Sequence, residues 1–235
     1  MMEQASPIKQ DRIQSALARL VHQLSGPSRR TLTYSDMMVS EYADQLEENG
    51  LRWLQTIHDE SLKMVKLVNG LQQYCQLVSE PIEDERMNLL MSVDTVISHY
   101  PDIEFNIQID ENIILVFASK WFRFLLMELC DNSKRFQSKQ SLVQVNLSAE
   151  KTDQGLRLDF CDNGPGVHDR SLNLLGQMFF QESSFTSETQ NHVGIGLACC
   201  DYIMASYGGK LVFSHGSETG LSVSCEFPST CVEFQ

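Results

Sequence analysis

Apolar residues in the first eighty positions recur at helical spacing and nowhere alternate. Ile13, Leu17, Leu20 and Leu24 are separated by four, three and four residues, which places them on one face of an α-helix. Pro27 has no N–H to give to the ladder and should kink that helix just before it. The helix is expected to resume through Met37, Met38 and Tyr42 and to stop near Asn49-Gly50, a terminating pair. After that turn Leu54, Ile57, Ser61, Met64, Val68, Leu71 and Cys75 alternate by three and four, the period of a left-handed bundle. Two such helices form a hairpin with too little surface to bury both stripes. A second copy completing a dimeric four-helix bundle is the expected solution; packing on the rest of the same chain is the alternative.

The pattern changes after Ser79–Arg86 (SEPIEDER), which is polar, acidic and interrupted by Pro81. Ile103, Phe105, Ile107 and Ile109 alternate with polar residues, as a half-buried strand does. Trp121 to Phe136 returns to the helical period. Val143, Val145 and Leu147 alternate again, as do Leu156, Leu158 and Phe160. A helix from about Gly196 to Ser206 precedes strands near Lys210–Phe213 and Leu221–Phe227. Helices among mostly hairpin-connected strands predict a two-layer α/β sandwich. The expected layout is a helical hairpin at 1–80, a linker at 81–86 and an α/β domain at 87–235.

Composition narrows the partners. Hydrophobic residues make up 42% and charged residues 21%, as in folded domains rather than disordered chains. The net charge is −13 and no basic run occurs, which argues against nucleic acid and anionic membrane surfaces as partners. Phosphate binding stays open, since backbone N–H groups, a metal ion and one or two cations suffice for it. No apolar run approaches a membrane span and no signal peptide opens the chain, so a cytoplasmic location is expected. The seven cysteines form no CxxC pair, which predicts reduced, mostly buried thiols rather than zinc or disulfides.

Three elements of the second half carry chemistry. In ELCDNSKRF, Glu128, Asn132 and Arg135 fall along one helix face. A carboxylate, an amide oxygen and a cation so arranged can hold hydrated magnesium and its phosphates, although solvated helix faces often look the same. In DNGPGV, Asp162 can accept from an exocyclic amine while Gly164 and Gly166 let backbone approach a flat ring; a plain turn has the same composition. In VGIGLACC two glycines open a helix whose N–H groups favour phosphate oxygens, again a common feature without any ligand.

In this order and spacing the three elements resemble the N box and the two glycine boxes of the ATP-binding domain shared by histidine kinases, gyrase, the Hsp90 chaperones and MutL. Phe179-Phe180 falls where the kinases have their F box, and SYGGKLVF with Gly220 resembles the domain's closing part. The resemblance covers roughly residues 87–229. It implies ATP and magnesium as cofactors, with Asn132 on the metal and Glu128 in the adjacent catalytic acidic position. Arg135 would face the phosphates and Asp162 would read the adenine amine. Gly164 and Gly166 would shape the adenine pocket. Gly194 and Gly196, with Leu197, would bracket the phosphate end of a lid formed by Glu182 to Val193.

The hairpin resembles the dimerisation and phosphoacceptor module of histidine kinases. In VHQLSGPSRR, His22 and Pro27 keep the spacing of that family's H box, so His22 is the implied phosphoacceptor. The pattern also departs from the family. Gln23 stands where an acid usually follows the His, Gly26 replaces the usual Thr or Asn, and the lid offers no Lys or Arg, only His192. ATP binding is therefore expected, and phosphoryl transfer is expected to be slow or conditional. The leading expectation is a dimeric, cytoplasmic histidine-kinase core that phosphorylates His22 and then an aspartate on a response-regulator receiver domain. No sensor precedes Met1, so the signal is expected from elsewhere or from a longer protein. A non-catalytic, nucleotide-gated scaffold that docks a kinase or receiver is the alternative, and an ATPase or serine kinase of the same superfamily is the third.

Overall fold

Helix α1 (Pro7–Tyr42) runs unbroken through Pro27. This computed structural model describes residues 7–137, 141–182, 193–216 and 219–234, with side chains from residue 14 onward. Around the proline, hydroxyls reinforce the ladder: Ser25 donates to the Val21 carbonyl at 2.9 Å, Ser28 to Leu24 at 2.9 Å and Thr31 to Pro27 at 3.0 Å. The chain turns at Ala43–Gln45 and re-enters helix α2 (Glu48–Ser79). Asn49-Gly50 thus lies inside the first turn of α2 instead of ending α1. First-turn N–H groups have no intrahelical partner in any case, so the pair costs little there.

On α1 the face that meets α2 differs from the apolar stripe, whereas on α2 it is drawn from the expected stripe. Val21, Ser28 and Ser35 on α1 and Leu54, Ser61 and Val68 on α2 are buried at heptad spacing. The serine hydroxyls are satisfied on their own helix, Ser61 donating to Ile57 at 2.6 Å and Ser35 to Leu32 at 2.8 Å. His58 adds a polar tie, its Nε2 lying 2.7 Å from Asp36 on α1 and its Nδ1 3.3 Å from Asp59. The bond to Asp59, joined by Asp36, outweighs partial burial and raises the imidazole pKa. Leu20 at 56%, Leu24 at 50% and Ile57 at 53% stay exposed. Between the helices a groove of about 600 Å³ is lined by Tyr34, Met38, Trp53 and Ile57, among others.

The chain divides into two compact units between Glu80 and Pro81. The second opens with β1 (Glu85–Asn88), so Glu85 and Arg86 of the expected linker are strand residues, paired with Phe117 and Val116. Then come α3 (Leu89–Ile97), β2 (Ile103–Gln108), β3 (Ile113–Phe117), α4 (Ser119–Phe136), β4 (Val143–Thr152) and β5 (Gly155–Asp162). A short α5 (Asp169–Leu172), α6 (Gly196–Ser206), β6 (Lys210–His215), β7 (Leu221–Pro228) and β8 (Val232–Phe234) complete it.

Five strands form one sheet in the order β2-β4-β5-β7-β6, with β2 parallel to β4 and the other pairs antiparallel. A smaller sheet has the order β1-β3-β8. Leu147, Phe160 and Val223 sit in register across three strands and are all buried. Trp121, Leu125, Leu126 and Leu129 of α4 and Ile203 and Met204 of α6 are buried as well. This is the α/β two-layer sandwich that the interleaved helices and alternating strands predict. The seven cysteines are free thiols, and Cys199 and Cys200 are wholly buried. Burial pushes Cys199 up to about 12, so neither thiol is suited to redox chemistry near neutral pH.

Candidate nucleotide site

Asp162 ends β5 with its carboxylate held from three elements. Oδ1 accepts from the Gly164 N–H at 2.8 Å and the Leu221 N–H at 3.2 Å, while Oδ2 lies 3.3 Å from the Ser133 hydroxyl of α4. The glycines make this convergence possible. Gly220 has φ +87°, and a methyl group there would run into the Asp162 carbonyl oxygen. Gly166 has φ +69°, and a methyl would lie 3.0 Å from the Gly220 carbonyl oxygen. A second clasp lies beside the first: Gln137 donates to Asn163 Oδ1 at 2.7 Å, and the same oxygen accepts from the Gln144 N–H at 2.9 Å.

One turn earlier on α4, Glu128 packs against Gly196, leaving no room for a β-carbon at that position. Burial raises the Glu128 carboxyl, Arg135 draws it back and Asp131 adds to the rise, for a net upward shift. Gly196 opens α6, and with Leu197 it sits in the turn whose N–H groups lack helical partners. Gly194, φ +70°, accepts from the Phe179 N–H at 2.8 Å. Phe179 itself has φ +66°, unusual for an aromatic residue, and is 47% exposed. The segment expected as F box and the second glycine pair therefore touch through backbone.

Asn132 and Arg135 meet each other, the guanidinium donating to Asn132 Oδ1 at 2.7 Å. The amide oxygen expected on a metal thus already accepts a bond from a cation of its own helix. Of the expected lid, residues 183–192, His192 among them, lie outside the described residues. His22 is exposed on α1, and among the described residues it makes no hydrogen bond or ion pair. The structure gathers Asp162, Gly164 and Gly166 at the end of β5, Glu128 with Gly196, and Asn132 with Arg135. It adds Ser133, Leu221 and Gly220 around Asp162. Ser133 had a visible signal: it is a polar residue in register with Leu125, Leu126 and Leu129 on an otherwise apolar face.

Residues 118–230 match the histidine kinase-, DNA gyrase B-, and HSP90-like ATPase family. The sensor protein KdpD of Clostridium acetobutylicum is 24% identical over 219 residues, spanning 87% of this chain and 23% of that protein. The signal transduction histidine-protein kinase BaeS of Escherichia coli is 31% identical over 104 residues, 44% of this chain and 22% of that one. The crystal structure of full-length ShkA in complex with AMPPNP shares the fold, with a TM-score of 0.62 at 19% identity over 94% of this chain and 46% of that one. The chain spans less than half the length of each of these three. Residues 118–230 of the α/β unit thus match this ATPase family, and the unit shares the fold of its solved relative. With its helical hairpin, the chain has the make-up of a two-component histidine-kinase core.

Proposed function

We propose that this chain is a dimeric histidine kinase that binds ATP with magnesium, transfers the γ-phosphate to His22, and passes it to an aspartate of a response-regulator receiver domain. The observation that carries the reading is the triply held Asp162 carboxylate, set among glycines in a unit that matches this ATPase family. A fixed anionic acceptor beside backbone without β-carbons suits an exocyclic amine on a flat ring. The Glu128–Gly196 contact supports a phosphate end at the start of α6, where the N–H groups favour anions.

Magnesium suits the donors on α4. Asn132 and Glu128 offer hard oxygens four residues apart, leaving most of the coordination shell to phosphate and water. When bound, the ion would neutralise charge on the phosphates. Arg135 would have to leave Asn132 Oδ1 first, and the γ-phosphate region is where its guanidinium would go. In the transfer step an imidazole nitrogen of His22 bonds to the γ-phosphorus, the bond to the bridging oxygen breaks, and ADP leaves. The proton on the other ring nitrogen goes to solvent, because the amide of Gln23 cannot take it. Among the described residues no helix is long and apolar enough to cross a membrane, and a cytoplasmic place suits a receiver partner.

Asn132→Ala is expected to weaken Mg-ATP binding about ten- to hundredfold, as loss of one charge-assisted contact does. ATP binding in the absence of magnesium should change far less. Calorimetric titration of the two forms checks this, and equal affinities for wild type and variant with Mg-ATP would remove Asn132 from the site. The dimer is tested on the exposed stripe. Val68 is 5% exposed within the hairpin, so a charge there unfolds it. Ile57, at 53% exposure, is the cleaner site. Ile57→Glu should leave helicity intact and yield monomers by light scattering, whereas an unchanged dimer would place the interface elsewhere.

A second reading rests on His22. With no carboxylate bonded to its imidazole among the described residues, and with Gln23 beside it, the chain can serve as a nucleotide-gated scaffold that binds a kinase or receiver without transferring phosphate. Both readings share the ATP site and differ only in whether His22 is ever phosphorylated.

A further inference from the structure

His58 on α2 is bracketed by two carboxylates. Its Nε2 lies 2.7 Å from Asp36 of α1, and its Nδ1 lies 3.3 Å from Asp59 on its own helix. A neutral imidazole carries one N–H, so it can donate to one of these oxygens and must turn a lone pair toward the other. Only the imidazolium, with two N–H groups, satisfies both. The charged groups facing the ring are Asp59 from α2 and Asp36 from α1, and together they hold its pKa above the ordinary 6.5, Asp59 foremost. Lys63, further along α2, is taken up by Glu60 at 2.8 Å. Among the described residues Asp36 has no ion-pair partner other than His58.

We infer that His58 is a proton-operated clasp between the two helices of the hairpin. Protonated, it bridges Asp36 and Asp59. When the proton leaves, one of the two bonds is lost and two carboxylates are left facing an uncharged ring. Even where the remaining N–H stays on Asp36, the bond across the helices has lost its cationic donor and is weaker. Because folding raises the imidazole pKa, the clasp contributes fully below 6.5 and is lost as pH rises through the raised value. Helix α1 also carries His22, so the hairpin that would present the phosphoacceptor is tied more firmly in mild acid than in mild base. The clasp depends only on α1 and α2 and holds whether or not His22 is ever phosphorylated.

The test uses the full chain between about pH 5 and 8, the range in which histidine changes charge. NMR titration of the histidine rings, with the His58 signal assigned by its loss in His58→Gln, should give a midpoint above 6.5, and Asp36→Asn should lower it. The His58 side chain is 29% exposed, so glutamine is expected to fold there; His58→Asn assigns the signal if it does not. Melting followed by helical circular dichroism is the second readout. Wild type should exceed the His58 variant by about 1–4 °C at the acid end, the scale of one partly exposed ion pair. That difference should shrink toward zero at the alkaline end, and taking it between two proteins removes the pH dependence of the α/β unit. A midpoint at or below 6.5, or a melting difference that does not change with pH, overturns the inference. An unchanged midpoint in Asp36→Asn overturns it too, because only a local contact between His58 and Asp59 would then remain.

Discussion

Replacing Gln23 with glutamate is expected to raise the rate of His22 phosphorylation by about a hundredfold, the lower end of what general-base assistance contributes. The imidazole attacks best when the proton on its other nitrogen is drawn off, and an amide has almost no basicity. Helical neighbours do not usually face each other, but this hairpin shows that the contact can form. Asp59 directly follows His58 on α2 and reaches its Nδ1 at 3.3 Å. A glutamate after His22, one methylene longer, has the same opportunity on α1. Nucleotide affinity should not change, because Gln23 belongs to the helical unit. His22→Ala should abolish the signal in both backgrounds. Label retention by rapid filtration over a time course reads the rate, and equal rates for wild type and Gln23→Glu would show that the missing acid is not what limits transfer.

Gly220→Ala is expected to cost more than a hundredfold in ATP affinity. The position has φ +87°, which costs an L-residue about 1 kcal/mol or more. The added methyl would also collide with the Asp162 carbonyl oxygen, a backbone atom that cannot rotate away. Relief requires β7 to retreat from the end of β5, which moves the Leu221 N–H off Asp162 Oδ1. Fold and site are therefore damaged together. A fall in melting temperature accompanied by lost ATP binding is the expected pair of results. Gly208→Ala is the matched control: its φ is +72°, but no atom lies within 4 Å of the added carbon, so it should lower stability and leave binding intact.

The parts of this site that depend on local chemistry were legible in the sequence. A strand followed by DNGPGV, and a helix opened by two glycines, announce themselves because turn and helix-start residues act within a few positions. Helix α6 falls at Gly196–Ser206 as expected. What was not legible depended on tertiary partners. On α1 the face that meets α2 centres on Ser28 and Ser35, which a hydrophobic count passes over, while the apolar Leu20 and Leu24 that define the visible stripe stay exposed. Strand β3, IILVF, is a short apolar run with no alternation and gives no period to read. Asn49-Gly50 signalled a turn but sits in the first turn of α2. Ser133 and Gly220 lie 29 and 58 residues from Asp162 in the chain, and only the fold brings them to it.

Incubation with γ-labelled Mg-ATP, followed by acid and base treatment of the labelled protein, tests the central claim most directly. A phosphorus–nitrogen bond on histidine is lost in acid and survives base, whereas serine and threonine esters survive acid and aspartyl phosphate is lost in base. The proposed kinase predicts slow labelling that is acid-labile, base-stable and absent from His22→Ala. A protein that stays unlabelled after long incubation, in wild type and Gln23→Glu alike, would contradict phosphoryl transfer to His22 and leave the nucleotide-gated scaffold in its place.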